Sequence, residues 1–143
     1  MIWFNGIPEI ARLNERGMNT MGEFLEIEFI ESGSDYLMAK MPVTDRTRQP
    51  YGILHGGASC VLAETVGSIA SACVINPSEY FCVGQEISAS HLRPVSKGYI
   101  FAKAQAVHIG RTSHVWDIRI TNEEGKAVCI SRLTVAVRSK NNQ

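Results

Sequence analysis

The chain has 143 residues, 45% apolar and 20% charged, the makeup of a folded globular chain rather than a disordered one. Lysine plus arginine and aspartate plus glutamate balance at 14 each, which argues against unspecific attraction to nucleic acid or to a membrane surface. Any anionic ligand must be held by a local cluster, and the length suits one domain over residues 1–143.

Residues 8–16 (PEIARLNER) read as a short helix, with Pro8 near its start and Gly17 ending it. In 23–31, Leu25, Ile27 and Phe29 alternate with Glu26 and Glu28, which predicts a half-buried strand. Gly33-Ser34 marks a turn, and 36–43 reads as the hairpin partner, with Leu37, Ala39, Met41 and Val43 on one face. Residues 44–54 are polar, contain a proline and read as a loop. A helix over about 56–75 follows, bounded by Asn76-Pro77 and roughly 30 Å long. It is apolar nearly all round, so it is expected to be enclosed. Four segments rich in valine, isoleucine and aromatics complete the chain: 80–93, 99–109, 113–122 and 126–138. Their short connections imply antiparallel neighbours. An α+β fold with one antiparallel sheet curled around a central helix satisfies this order, and its uncovered edges favour dimerisation.

Cys60, Cys73, Cys82 and Cys129 form no Cys-x-x-Cys pair, so they read as free thiols in a reducing compartment. Histidine spacing suggests no metal site, and His114 reads as structural. Met1–Gly6 lacks the pattern of a signal peptide, and residues 56–75, the nearest to a membrane span, are rich in glycine, alanine and serine and carry Glu64. A cytoplasmic protein is expected.

The chemistry concentrates in QPYGILHGGASCVLAETVGSIAS, residues 49–71. A helix beginning at Gly56 or Gly57 presents N–H groups with no partner inside the helix, at the positive end of its dipole. Glycine lets a ligand approach those donors, which can polarise a carbonyl. Glu64 is the one carboxylate of an apolar helix, and burying it unpaired is costly. As a structural acid it would want a basic partner such as Arg93. As a functional one it would face a slot beside Cys60, Val61, Gly67 and Ser68, with the Ser68 hydroxyl as donor, and serve as nucleophile or general base. Gln49 and His55 flank the helix entrance and can hold a water or a carbonyl.

This stretch resembles the signature of the hotdog-fold acyl-CoA thioesterases that carry a helix glutamate. Similarity extends over MIW, MPVTDRTRQPYG, VGQEISASHLRPVSKG and SRLTVAV. Within the family it is most similar to the 1,4-dihydroxy-2-naphthoyl-CoA thioesterases of menaquinone biosynthesis and the enterobactin proofreading thioesterases. The hydroxybenzoyl-CoA and phenylacetate-pathway types are more distant. The resemblance implies hydrolysis of an aromatic acyl-CoA without a cofactor, in a homodimer with sites at its interface, paired as a dimer of dimers in a homotetramer. It implies that Glu64 is the nucleophile or base, Gly56 N–H polarises the carbonyl, His55 contacts the thioester, and Gln49 and Ser68 support the reacting centre. Gln49, His55 and Gly56 would face Glu64 and Ser68 of the other subunit. Gly84, His91, Leu92, Arg93 and Pro94, with His108, Ile109, Gly110, Arg111, Thr112 and Ser113, match segments lining the pantetheine channel and nucleotide site. Ser71-Ala72-Cys73 departs from the family pattern where the helix would line the acyl pocket. Ile69 lies where CoA and carrier-protein enzymes differ. The alternatives are a proofreading hydrolase acting on an aryl carrier protein and a non-catalytic acyl-CoA-binding regulator.

Overall fold

The computed structural model describes residues 1–142. In chain order the elements are α1 (Ile10–Arg16), α2 (Met21–Phe24), β1 (Glu28–Ser32), β2 (Tyr36–Pro42), α3 (Gly56–Val74), β3 (Tyr80–His91), β4 (Tyr99–Ile109), β5 (Ser113–Thr121) and β6 (Ala127–Ser139), with a final 3-10 turn. The strands form one antiparallel sheet in the order β1-β2-β4-β5-β6-β3, and α3 packs against five of them. This is the hotdog arrangement.

Two expectations about the strands change. The strand expected over 23–31 begins only at Glu28, because a helical turn precedes it. Thr20 caps that turn by accepting from Gly22 N–H, and Glu23 reaches back to Asn19 N–H at 2.7 Å. Together they resemble the capping box that stabilises a helix start. Glu26 then takes φ 58°, which ends the helix and turns the chain into β1. The second change is β3, which does not lie beside β4 despite the short link between them. β2 and β5 flank β4 on both sides, so β3 pairs with β6 at the far edge. The β3–β4 link crosses the end of the barrel-like curl and is tied down where Leu54 N–H bonds Val95 C=O at 2.8 Å.

The core lies between the concave sheet and one stripe of α3. Leu62, Ala63, Val66 and Ala70 meet Leu37, Ala39, Met41, Ile100, Ile118 and Leu133, all inaccessible to solvent. Burial at this level is the main source of stability, about 1.5–3 kcal/mol for each large side chain. The expected all-round enclosure of α3 does not hold within one chain. Cys60, Val61, Glu64, Thr65, Ser68 and Ile69 form a half-exposed stripe, because a single sheet covers only one face of the helix. By length and composition α3 could cross a membrane, yet its other stripe is spent on this sheet.

The C-terminal half of α3 is anchored by polar contacts. Buried Ser71 accepts a bond from Trp116 Nε1–H at 2.7 Å and lies 3.0 Å from His114 Nδ1. Trp116 stacks on Trp3, and Phe4 N–H donates to the Cys73 carbonyl, satisfying one of the acceptors left over at the helix end. Ser71 therefore belongs to the core, while its neighbours Ala72 and Cys73 border a recess beneath the N-terminal segment. His114, expected to be structural, is buried against Ser71 and also borders a recess beside Arg111.

Candidate active site

The loop before α3 is folded tightly enough to aim its side chains. Buried Thr47 donates its hydroxyl to Pro42 C=O and accepts from Thr44 N–H, while His55 N–H bonds Thr47 C=O. Beyond it, Gln49 N–H bonds Ile53 C=O, and the Gln49 side-chain oxygen accepts from Tyr51 N–H. Among the described residues its amide nitrogen has no partner.

His55 is the N-cap of α3: its Nδ1 accepts from Gly57 N–H at 2.8 Å, which requires an unprotonated Nδ1. That bond consumes the Gly57 donor. Ala58 and Ser59 N–H both turn to His55 C=O. Gly56 N–H, by contrast, donates to no acceptor among the described residues. Gly56 lines a recess of about 450 Å³ together with Gln49, Leu54, Ser59, His91, Arg93 and Val128 among others. A Cβ on residue 56 would lie 2.8 Å from His91 Nε2, so glycine is what allows the imidazole to close over the helix end. The recess walls are largely apolar, with a few convergent polar groups, the usual makeup of a small-molecule site.

Glu64 lies elsewhere. It is eight residues further along α3, about 12 Å from Gly56 along the axis, on the half-exposed stripe. Among the described residues nothing pairs with it. The basic partner considered for it, Arg93, instead donates Nη1 to Ala127 C=O at 2.6 Å. Nor does Ser68 donate to Glu64 as expected. The carboxylate instead lies against β3 at Gly84, where a Cβ would come within 2.2 Å of Glu64 Oε1. Gly84 also borders a register shift in the β3–β6 pairing, so a bulge and a missing side chain together make room for the acid. Burial first, and then the Glu64 charge, push the Cys60 thiol up, so that neighbour stays protonated at neutral pH.

The remaining candidates fall in two other places. Ile69 borders a small recess of about 130 Å³ under the N-terminal segment, with Leu13, Arg16, Phe29 and Thr65. His108–Ser113 form the β4–β5 turn, closed by Gly110 N–H to Ser113 C=O and tied to β6 by Val137 N–H to Thr112 C=O. Arg111, Ile109 and Gly110 line a recess of about 230 Å³ with Val74, Ile75 and Asn76, at the C-terminal end of α3. One chain thus brings Gln49, Gly56 and His91–Pro94 together. It leaves Glu64 with Ser68 midway along the helix, and His108–Ser113 at its opposite end. The sequence reading overlooked Ser59, which borders the first recess, although its place one turn beyond Gly56 was readable from helical spacing.

A family model described as the thioesterase superfamily matches residues 51–129. A crystallised Q49A mutant of the thioesterase PA1618 of Pseudomonas aeruginosa superposes with a TM-score of 0.95 at 47% identity, over 97% of this chain and 99% of that one. The 1,4-dihydroxy-2-naphthoyl-CoA hydrolase of Escherichia coli is 44% identical over 137 residues, 96% of this chain and 99% of its own. The proofreading thioesterase EntH of Cronobacter turicensis is 46% identical over the same length, 96% of this chain and 98% of its own.

Proposed function

This chain belongs to the thioesterase superfamily and is a thioester hydrolase, and from that premise we propose that it hydrolyses an aromatic, hydroxyaryl acyl-CoA. The products are the free acid and CoA. The observation that carries this reading is a separation of functions along α3: an unspent N–H at Gly56 in a recess, and an unpaired carboxylate at Glu64 on an open stripe. Gly56 N–H binds the thioester carbonyl oxygen and, with the helix dipole behind it, stabilises the negative charge that develops there. Glu64 either takes a proton from an attacking water or attacks the carbonyl itself to form an anhydride that water then opens. In both cases the C–S bond breaks and CoA leaves as a thiolate that picks up a proton.

Gly56 and Glu64 of one chain stand too far apart to act on one carbonyl. The reading therefore places Gln49, His55 and Gly56 of one protomer opposite Glu64 and Ser68 of a second, in a homodimer and, above it, a homotetramer. Two features favour such pairing: β3 is an edge strand with Val83 half exposed, and the open stripe of α3 is apolar around Glu64. His91–Pro94 and His108–Ser113 would hold pantetheine and the CoA phosphates, with Arg93 and Arg111 as the cations. We assign the protein to the cytoplasm, acting as a single catalytic domain over residues 1–143. Its place in menaquinone biosynthesis, and activity toward hydroxybenzoyl-CoA, follow as parts of the same proposal.

The likeness to EntH supports a second reading, proofreading hydrolysis on an aryl carrier protein. Both are tested by one panel: benzoyl-, 4-hydroxybenzoyl-, 1,4-dihydroxy-2-naphthoyl-, phenylacetyl- and straight-chain CoA esters, and aryl carrier-protein esters, with thiol release as the readout. The aryl-CoA reading predicts fastest turnover of one hydroxyaryl-CoA. Faster release from the carrier protein would replace it with the second reading, and preference for straight chains would sink both.

A further inference from the structure

Ser59 is the fourth residue of α3 and is 1% exposed, yet its hydroxyl oxygen has no hydrogen-bond partner among the described residues. A serine in a helix ordinarily bonds back to the carbonyl four residues earlier. Here that carbonyl is His55 C=O, which already receives Ala58 N–H at 2.9 Å and Ser59 N–H at 3.4 Å. Leaving a buried hydroxyl unpaired works against stability. The other such hydroxyl, Ser131 Oγ, belongs to a β6 residue that does not line the recess at Gly56. Ser59 does line it, one helical turn from Gly56.

Helix geometry fixes where this hydroxyl can reach. Ser59 is three positions beyond Gly56, about 4.5 Å along the axis and about 60° around it, so both lie on one face. Side chains on a helix tilt toward its N-terminus, so the Ser59 Oγ leans over the turn that ends in Gly56 N–H. His91 bounds the same space, with Nε2 2.8 Å from where a Cβ on Gly56 would stand. A backbone N–H and a hydroxyl, neither with a partner among the described residues, thus belong to two residues that border one recess at the positive end of α3.

We propose that Ser59 is a second donor to the thioester carbonyl, its O–H bonding the same oxygen that Gly56 N–H holds. This deepens the thioesterase reading and rests on it. No proton is transferred: as the carbonyl carbon is attacked and its oxygen gains negative charge, the Ser59 bond shortens and strengthens, then relaxes when the C–S bond breaks. A single backbone N–H is a sparse device for stabilising an oxyanion, and a hydroxyl that rotates about χ1 supplements it without disturbing the helix.

The test is Ser59→Ala, with Ser59→Cys as a variant that keeps a weak donor of similar size. Steady-state hydrolysis of the preferred aryl-CoA is measured for each. The bound carbonyl is then read by difference infrared spectroscopy with a 13C-labelled benzoyl-CoA, in a Glu64→Gln background so that the ester survives. Ser59→Ala is expected to melt no lower than wild type, since it removes an unpaired buried hydroxyl. Its kcat is expected to fall about tenfold with KM nearly unchanged, the upper range for one neutral hydrogen bond. The carbonyl band should move to higher frequency, with Ser59→Cys intermediate in both readouts. A folded Ser59→Ala with wild-type kcat and an unmoved band overturns the proposal, as does a Ser59→Ala that fails to fold, because the hydroxyl would then serve the fold. A wild type inert toward every acyl thioester would instead remove the functional reading beneath it.

Discussion

The two halves of α3 treat their polar groups in opposite ways. In the C-terminal half, Ser71 is bonded to both Trp116 and His114, and the Cys73 carbonyl is met by Phe4 N–H. In the N-terminal half, Gly56 N–H, Ser59 Oγ and the Glu64 carboxylate have no protein partner among the described residues. The first half is anchored to the rest of the fold through the Ser71 hydroxyl and the Cys73 carbonyl. The second holds groups in reserve, which costs stability and makes sense where a ligand supplies the missing partners. A polar group's role can thus be read from whether the fold has already used it.

Substitutions should separate the two halves by their readouts. Glu64→Ala removes the group assigned to the chemistry, and kcat should fall by roughly 10³-fold or more while the melting temperature stays or rises. A variant with residual activity near wild type would move the catalytic carboxylate elsewhere. Gly56→Ala drives a Cβ into the His91 ring and blocks access to the helix end, so kcat/KM should drop about 100-fold with little loss of fold. In the anchoring half the pattern reverses. Ser71→Ala strands the Trp116 N–H and the His114 nitrogen, and should cost about 2–3 kcal/mol of stability by denaturant titration, with turnover per folded molecule unchanged.

The smallest effect concerns pH. His114 is held neutral: burial depresses its pKa below the ordinary 6.5, His108 adds to this, and a bond to the Gly110 backbone opposes it. The unfolded chain therefore binds a proton at this histidine where the folded one does not. Its contribution to stability is complete above about pH 6.5 and declines as pH falls from there toward the folded value. Melting curves between pH 7 and pH 5 should show this decline, and it should be shallower in His114→Gln. An equal slope in both proteins would assign the acid sensitivity to other groups.

What the sequence disclosed follows from how local each cause is. Alternation along 36–43 placed Leu37, Ala39, Met41 and Val43 on the buried face, because a strand's period is written in adjacent residues. The Thr20 and Glu23 cap was equally local and passed unnoticed beneath the alternation of Leu25, Ile27 and Phe29. The position of β3 beside β6 was not readable, since strand order depends on which edges remain free once β4 is flanked. Similarly, apolar residues all round α3 indicated enclosure, but the sheet of one chain covers only one stripe of the helix. At the candidate site, the glycine-led helix start and the lone acid were legible as chemistry. Their separation by two helical turns was implicit in the numbering, and the proposed second copy rests on this distance.

Mixing two inactive variants tests that requirement most directly. Gln49→Ala and Glu64→Ala are unfolded together in equal amounts, refolded, and assayed for hydrolysis of the preferred acyl-CoA. If each site is built from both protomers, half of the dimers are mixed and each mixed dimer carries one intact site. Activity should then recover to about a quarter of wild type. No recovery above the separate variants, in a sample shown to contain mixed dimers, would contradict a site shared between two chains.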